Sequence, residues 1–179
     1  RIPIADRAEM YLPIRPGTDG ALALALIHVI INEKLYDADF VEKWTIGFDK
    51  LVPHVQQYTP EWAEAITSIP ARDIRILARR FASTKGASIF HGTCTQDQCA
   101  NGSQNGRAFS ILQTLTGNIN VPGGWVLSPR LRLADVSLPF PGKPLGADEY
   151  PLFYELWGRT SPYAVMNMVP ESVPRARRR

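Results

Sequence analysis

IRPGTDGALALALIHVII, residues 14–31, joins a Pro-Gly turn to a helix that is apolar almost all round. Gly17 permits a tight turn after Pro16, and Thr18 and Asp19 are both residue types that cap helix starts. From Asp19 onward, Leu22, Leu24, Leu26, Ile27, Val29, Ile30 and Ile31 cover nearly the whole circumference, which is the pattern of a helix buried on most sides. His28, inside that oily surface, reads as structural. The preceding EMYLPI, residues 9–14, reads as a short strand that the turn ends. A strand passing into a buried helix through a glycine turn is a unit of α/β architecture. It also leaves unpaired helix N–H groups and a partial positive charge beside the turn, a setting that suits a phosphate or a purine. Simple helix capping by Thr18 or Asp19 is the competing reading.

Working outward, DADFVEKW and FDKLVPHVQQ predict short helices, with Pro53 breaking or offsetting the second. In TPEWAEAI, Thr59 is placed to cap and Pro60 to take the first helical position. PARDIRILARRFAST carries Ile74, Leu77, Ala78 and Phe81 at helical spacing, with Arg72, Arg75, Arg79 and Arg80 turned to solvent. GASIFHG, residues 86–92, reads as a compact strand bounded by glycines. After a polar loop, a further helix runs through Ala108, Ile111, Leu112 and Leu115 to a stop at Gly117. Strand, crossover helices, strand and helix predict an α/β fold: a partial doubly wound, Rossmann-like parallel sheet with flanking helices over residues 1–126. From residue 127 to 179 the texture changes. More than half of the 15 prolines fall there, no period is sustained, and an extended Pro-rich arm is predicted.

At 45% hydrophobic and 21% charged residues, the 179-residue chain can bury a core. The run of residues 21–31 is too short to span a bilayer. With no initiator Met and no leader pattern, the start looks like a cut inside a longer chain, and the sequence does not fix a compartment. The net charge of +3 falls to −1 without the four arginines of the terminal PRARRR, so the body offers no basic face of the kind that nucleic-acid binding needs.

The second loop of interest is HGTCTQDQCANG, between the predicted strand and the last helix. Gln96 and Gln98 carry the paired donors and acceptors that a pterin or purine edge requires, and an ordinary polar connection with a capped start at Asn101 is the alternative. Cys94 and Cys99, at C-x4-C spacing with His91 nearby, fall short of the four ligands of a closed zinc site. His91 has no partnered Ser or carboxylate in the text and reads as a packed residue. No catalytic and no metal-ligating residue is predicted. The chain reads as a cofactor cradle without the reacting atom.

Three stretches carry a family resemblance: ADRAEMYLPIRPGTDGALALALIHVIINEKLYDADFVEKWTIGFDKL, TPEWAEAITSIPARDIRILARRFA and QDQCANGSQNGRAFSILQTLTGNINVPGGW. In this order they resemble the middle portion of molybdopterin oxidoreductases of the dimethyl sulfoxide reductase superfamily, closest in texture to the branch that includes acetylene hydratase. The resemblance covers residues 1 to about 125. It implies a molybdenum or tungsten centre held by two molybdopterin guanine dinucleotides, with a 4Fe-4S cluster in an N-terminal part outside these residues. It implies that the loop matching Gly17, Thr18 and Asp19 contacts a dinucleotide and that the loop matching Cys94 through Gln98 adds contacts. Partners implied are the rest of the same polypeptide and an electron-transfer subunit. The cluster's cysteine motif, the metal-ligating side chain and the domain that closes over the pterins are absent from these residues, so the expectation is a fragment inactive by itself. The alternative is a non-catalytic α/β interaction or nucleotide-binding module, because fold alone does not identify chemistry.

Overall fold

The computed structural model describes residues 3–92 and 100–127. A short 3-10 helix, Pro3–Arg7, is followed by α1 (Asp19–Asn32), α2 (Ala38–Trp44), α3 (Phe48–His54), a 3-10 turn Val55–Gln57, α4 (Pro60–Thr67), α5 (Ala71–Ser83) and α6 (Gly102–Leu115). The oily helix begins at Asp19, as its pattern predicts, and it is the hub of the described residues. It packs against α4, α5 and α6, and Ala25, Ile27 and Ile30 are completely inaccessible. Burying a side chain of that size contributes about 1.5 to 3 kcal/mol relative to leaving it in water. His28 belongs to the packing: its Nδ1 lies 3.0 Å from the carbonyl oxygen of Val55.

The smaller helices follow their local signals. The Asp37 carboxylate caps α2, accepting from the Phe40 N–H at 2.9 Å. Thr59 Oγ1 accepts from the Trp62 N–H at 3.2 Å, with Pro60 as the first residue of α4. α3 runs through Pro53 near its end and hands over to the 3-10 turn, so the proline offsets the helix without splitting it. On α5, Ile74 and Ala78 are fully buried beside the half-buried Leu77 and Phe81. Three of its four outward arginines are tied down: Arg75 to Glu61 at 2.6 Å, Arg79 to Glu33 at 2.7 Å and Arg80 to Glu9 at 2.6 Å.

The predicted strands take a different form. Neither residues 9–14 nor residues 86–92 form a ladder, and the described residues carry one isolated bridge, Ile119 to Trp125. The physical reason is pairing: a strand is defined by a neighbour with which it exchanges N–H and C=O bonds. These two segments exchange none with each other. Their apolar residues Leu12, Ile14 and Ile89 nonetheless pack on the helical core. Residues 86–89 are held by side chains instead. Asn118 Oδ1 accepts from the Gly86 N–H at 2.9 Å, Gln113 Nε2 donates to the Ala87 carbonyl at 3.1 Å, and Trp125 Nε1 donates to the Ile89 carbonyl at 2.9 Å. The predicted arm, apart from Leu127, lies outside the described residues.

Candidate cofactor cleft

The turn before α1 is anchored from two sides. The Arg15 N–H donates to the Thr67 carbonyl at 3.0 Å, and the Arg15 guanidinium donates to Ser68 Oγ at 3.1 Å, which fixes the turn to the end of α4. Gly17 follows with φ +81°, a left-handed conformation that glycine adopts without steric cost, and nothing lies within 4 Å of where a Cβ would stand. Thr18 occupies the N-cap position, but its hydroxyl donates backward to the Arg15 carbonyl at 2.6 Å and makes no cap bond. Helix capping by Thr18, the competing reading of the turn, is therefore not what the side chain does. Asn101, at the N-cap of α6, also makes no side-chain cap bond.

These two helix starts meet closely. A Cβ on Gly20 would stand 2.3 Å from Oδ1 of Asn105, a residue only 2% exposed, so the absence of a side chain at residue 20 sets the approach of α1 to α6. Beside this crossing opens a cleft of about 1050 Å³. Gly17, Thr18, Asn101, Gln104 and Asn105 line it from the starts of α1 and α6. An aromatic wall of Phe48, Tyr58 and Trp62, with Leu51, lines it from the stretch of α3 to α4, and the Tyr58 and Trp62 rings lie 4.9 Å apart. Lys50 and Arg107 also line the cleft, and among the described residues that line it none is Asp or Glu. Amide and aromatic lining with positive charge suits a ligand that combines a flat heterocycle with phosphate.

Asp19 does not share that cleft. It lines a neighbouring groove of about 400 Å³ with Met10, Leu12, Ser88 and His91. Successive helical positions are about 100° apart, so the first turn of α1 divides Gly17 and Thr18 from Asp19 and presents them to two hollows. His91 packs between aromatic rings, with Phe109 stacked at 6.0 Å and Trp125 edge-on at 5.6 Å. Cys94 and Gln98, with Gln96 and Cys99, lie outside the described residues. No cluster of three or more His, Cys, Asp or Glu side chains placed to hold a metal ion occurs among the described residues. No helix there is long and apolar enough to cross a membrane.

Sequence reasoning missed the aromatic wall, Lys50 and Arg107. The wall comes from α3 and α4, some 30 to 45 positions beyond Gly17, and no local spacing announces it. Asn101, Gln104, Asn105 and Arg107 do leave a trace, an amide-rich first two turns of a helix, which the reading of Asn101 as a plain cap passed over.

The chain has relatives among known proteins. No protein-family model matches the sequence. The probable dimethyl sulfoxide reductase chain YnfF of Escherichia coli (strain K12) is 43% identical over 139 residues, 67% of this chain and 17% of that protein. The dimethyl sulfoxide reductase DmsA of the same strain is 41% identical over 155 residues, 76% of this chain and 19% of that protein. The solved structure of acetylene hydratase from Pelobacter acetylenicus superimposes with a TM-score of 0.63 at 43% identity, covering 65% of this chain and 16% of that one. The chain is a homologue of dimethyl sulfoxide reductase family molybdopterin enzymes. It spans less than a fifth of the length of these relatives. Acetylene hydratase is an α/β enzyme, and the described residues of this chain are helix-rich.

Proposed function

We propose that this chain is the cofactor-binding middle region of a molybdenum or tungsten oxidoreductase of the dimethyl sulfoxide reductase family, inactive in isolation. The observation that carries the reading is the meeting of two uncapped helix starts, those of α1 and α6, at the Gly20–Asn105 contact beside a cleft with no carboxylate among its described lining residues. That donor set fits a pterin guanine dinucleotide: backbone N–H groups for phosphate, side-chain amides for a heterocycle edge and an aromatic wall for its face. Gly17 and Thr18 border the cleft, Asp19 accepts from guanine or ribose donors on the adjoining side, and Cys94 and Gln98 add contacts from their loop. When bound, the bis-pterin metal centre supplies the reaction chemistry, and these residues bind and orient it. Residues 9–14 and 86–92 are then two strands of a Rossmann-like parallel sheet completed by other parts of a longer polypeptide. A 4Fe-4S cluster and an electron-transfer subunit belong to the same reading, outside these residues.

The test uses a full-length enzyme carrying this segment, produced anaerobically. Metal content by mass spectrometry and guanine nucleotide released on denaturation are the readouts. Asp19→Ala is expected to lower nucleotide retention about tenfold, the worth of one hydrogen bond to a charged group. Unchanged retention removes Asp19 from the site, and a protein without metal or nucleotide ends the reading as a whole.

A further inference from the structure

We infer that Arg107, assisted by Lys50, is the anchor for the phosphate-bearing end of the ligand in the large cleft. This rests on the cofactor reading of that cleft and deepens it by naming the charges that select the ligand.

Charge and concavity together single out two side chains. Among the described residues Lys43, Arg75, Arg79 and Arg80 each meet a carboxylate at 2.6 to 3.3 Å. Arg107 and Lys50 meet none there. Arg7, Arg15, Lys34, Arg72 and Lys85 also lack a carboxylate partner there, but they line neither this cleft nor the two hollows beside it. Two unneutralised cations on the wall of a cleft of about 1050 Å³, with no acidic side chain among its described lining residues, give that cleft a single sign of charge. Concave, one-signed surfaces with apolar walls focus field and raise the local concentration of oppositely charged ligands.

Arg107 is the better placed of the two. It borders both the large cleft and a second hollow of about 610 Å³ that contains His91 and Trp125, so it stands on the ridge of α6 between them. Side chains on a helix lean toward its amino end, which carries the Arg107 guanidinium back toward the uncapped start of α6. A planar guanidinium engages two phosphate oxygens at once, which an ammonium does not. Lys50, from α3, acts as a point charge. The ligand chemistry is therefore a pyrophosphate flanked by an aromatic base.

Calorimetric titration of the cofactor-free full-length enzyme carrying this segment with guanosine diphosphate, guanosine and inorganic pyrophosphate tests this. Arg107→Gln is expected to weaken guanosine diphosphate binding about tenfold, Arg107→Lys about threefold and Lys50→Gln about threefold, with guanosine unaffected. Arg72→Gln, on open surface, is the control and should bind as the parent does. Thermal melts establish that each variant folds. Guanosine diphosphate binding to Arg107→Gln within twofold of the parent overturns the role of Arg107 while leaving the cofactor cleft standing. No binding of guanosine diphosphate by the parent overturns the cofactor reading, and this inference with it. Pyrophosphate binding as tight as guanosine diphosphate, with the same loss in Arg107→Gln, keeps the anion role but assigns it to free phosphate, against a nucleotide.

Discussion

α1 and residues 86–91 are both apolar, both predicted from short-range pattern, and held in place by different means. α1 stands in its cavity of neighbours with Ile27 and Ile30 wholly removed from water, and its backbone bonds are internal to the helix. Residues 86–91 have no ladder; Ile89 packs on the core, and their backbone is bonded by the side chains of Asn118, Gln113 and Trp125. A helix satisfies its own polar groups and needs neighbours only for its apolar surface. A strand needs neighbours for both. The difference teaches that a pattern of apolar residues predicts a helix outright, but predicts a strand only on condition that its partner is present.

The strongest way to break this comparison is to hollow out the helix side. Ile27→Ala removes most of a fully buried side chain where α1 is surrounded, and the loss is expected at about 2 to 5 kcal/mol, lowering the midpoint of denaturant unfolding for the whole chain. Far-ultraviolet circular dichroism against denaturant checks it. A loss below about 1 kcal/mol would mean that the helix is not the hub its burial indicates.

Next in size is the clip on residues 86–91. Gln113 is completely buried, and its Nε2 donates to both the Ala87 and Asn118 carbonyls at 3.1 Å. Its Oε1 has no protein partner, so the amide is only half satisfied. Gln113→Leu keeps the volume but leaves the Ala87 carbonyl without its donor, while the Asn118 carbonyl keeps the Trp125 N–H at 2.9 Å, at an expected cost of about 1 kcal/mol once the relief of the unpaired oxygen is set against it. The loss should be local. Hydrogen exchange and limited proteolysis within residues 86–91 should accelerate more than in α1, whereas equal acceleration in both would show that the two regions unfold as one.

How much could be read in advance follows the same division. The start of α1 at Asp19, the caps at Asp37 and Thr59 and the buried stripe of Ile74 and Ala78 all depend on interactions within a few positions, and each is legible. The expected sheet is not formed among the described residues, where residues 9–14 and 86–92 exchange no ladder bonds, and an apolar run does not by itself specify a pairing partner. The candidate site was legible in halves. Gly17 and Thr18 do border the cleft, while Asp19, one position further along, lines a different hollow because the helix turns it away. The aromatic wall of Tyr58 and Trp62 required the fold, and Cys94 and Gln98 lie outside the described residues.

The smallest expected effect concerns how α1 is tied to α5 at the surface, by Arg79 donating to Glu33 from Nε at 2.7 Å and from a terminal guanidinium nitrogen at 2.8 Å. The hydrogen bond from Arg79 holds the Glu33 carboxyl below the ordinary carboxylate range, with partial burial opposing it and the Arg79 charge adding to it. Arg75 does the same to Glu61 through its own hydrogen bond. A carboxyl with a lowered folded-state pKa stabilises the fold above its unfolded pKa, and that contribution is lost as pH falls through the folded value. Both partners remain substantially exposed, so solvent screening keeps the effect small. Glu33→Gln is expected to lower Tm by about 1 to 4 °C at pH 7 in low salt. The difference from the parent should shrink in 1 M salt and disappear once pH is low enough to protonate Glu33 in the folded chain. A Tm difference that survives acid would locate the Glu33 contribution in packing at the end of α1, and the ion pair would then be a consequence of the apolar contact between α1 and α5 instead of a second tie between them.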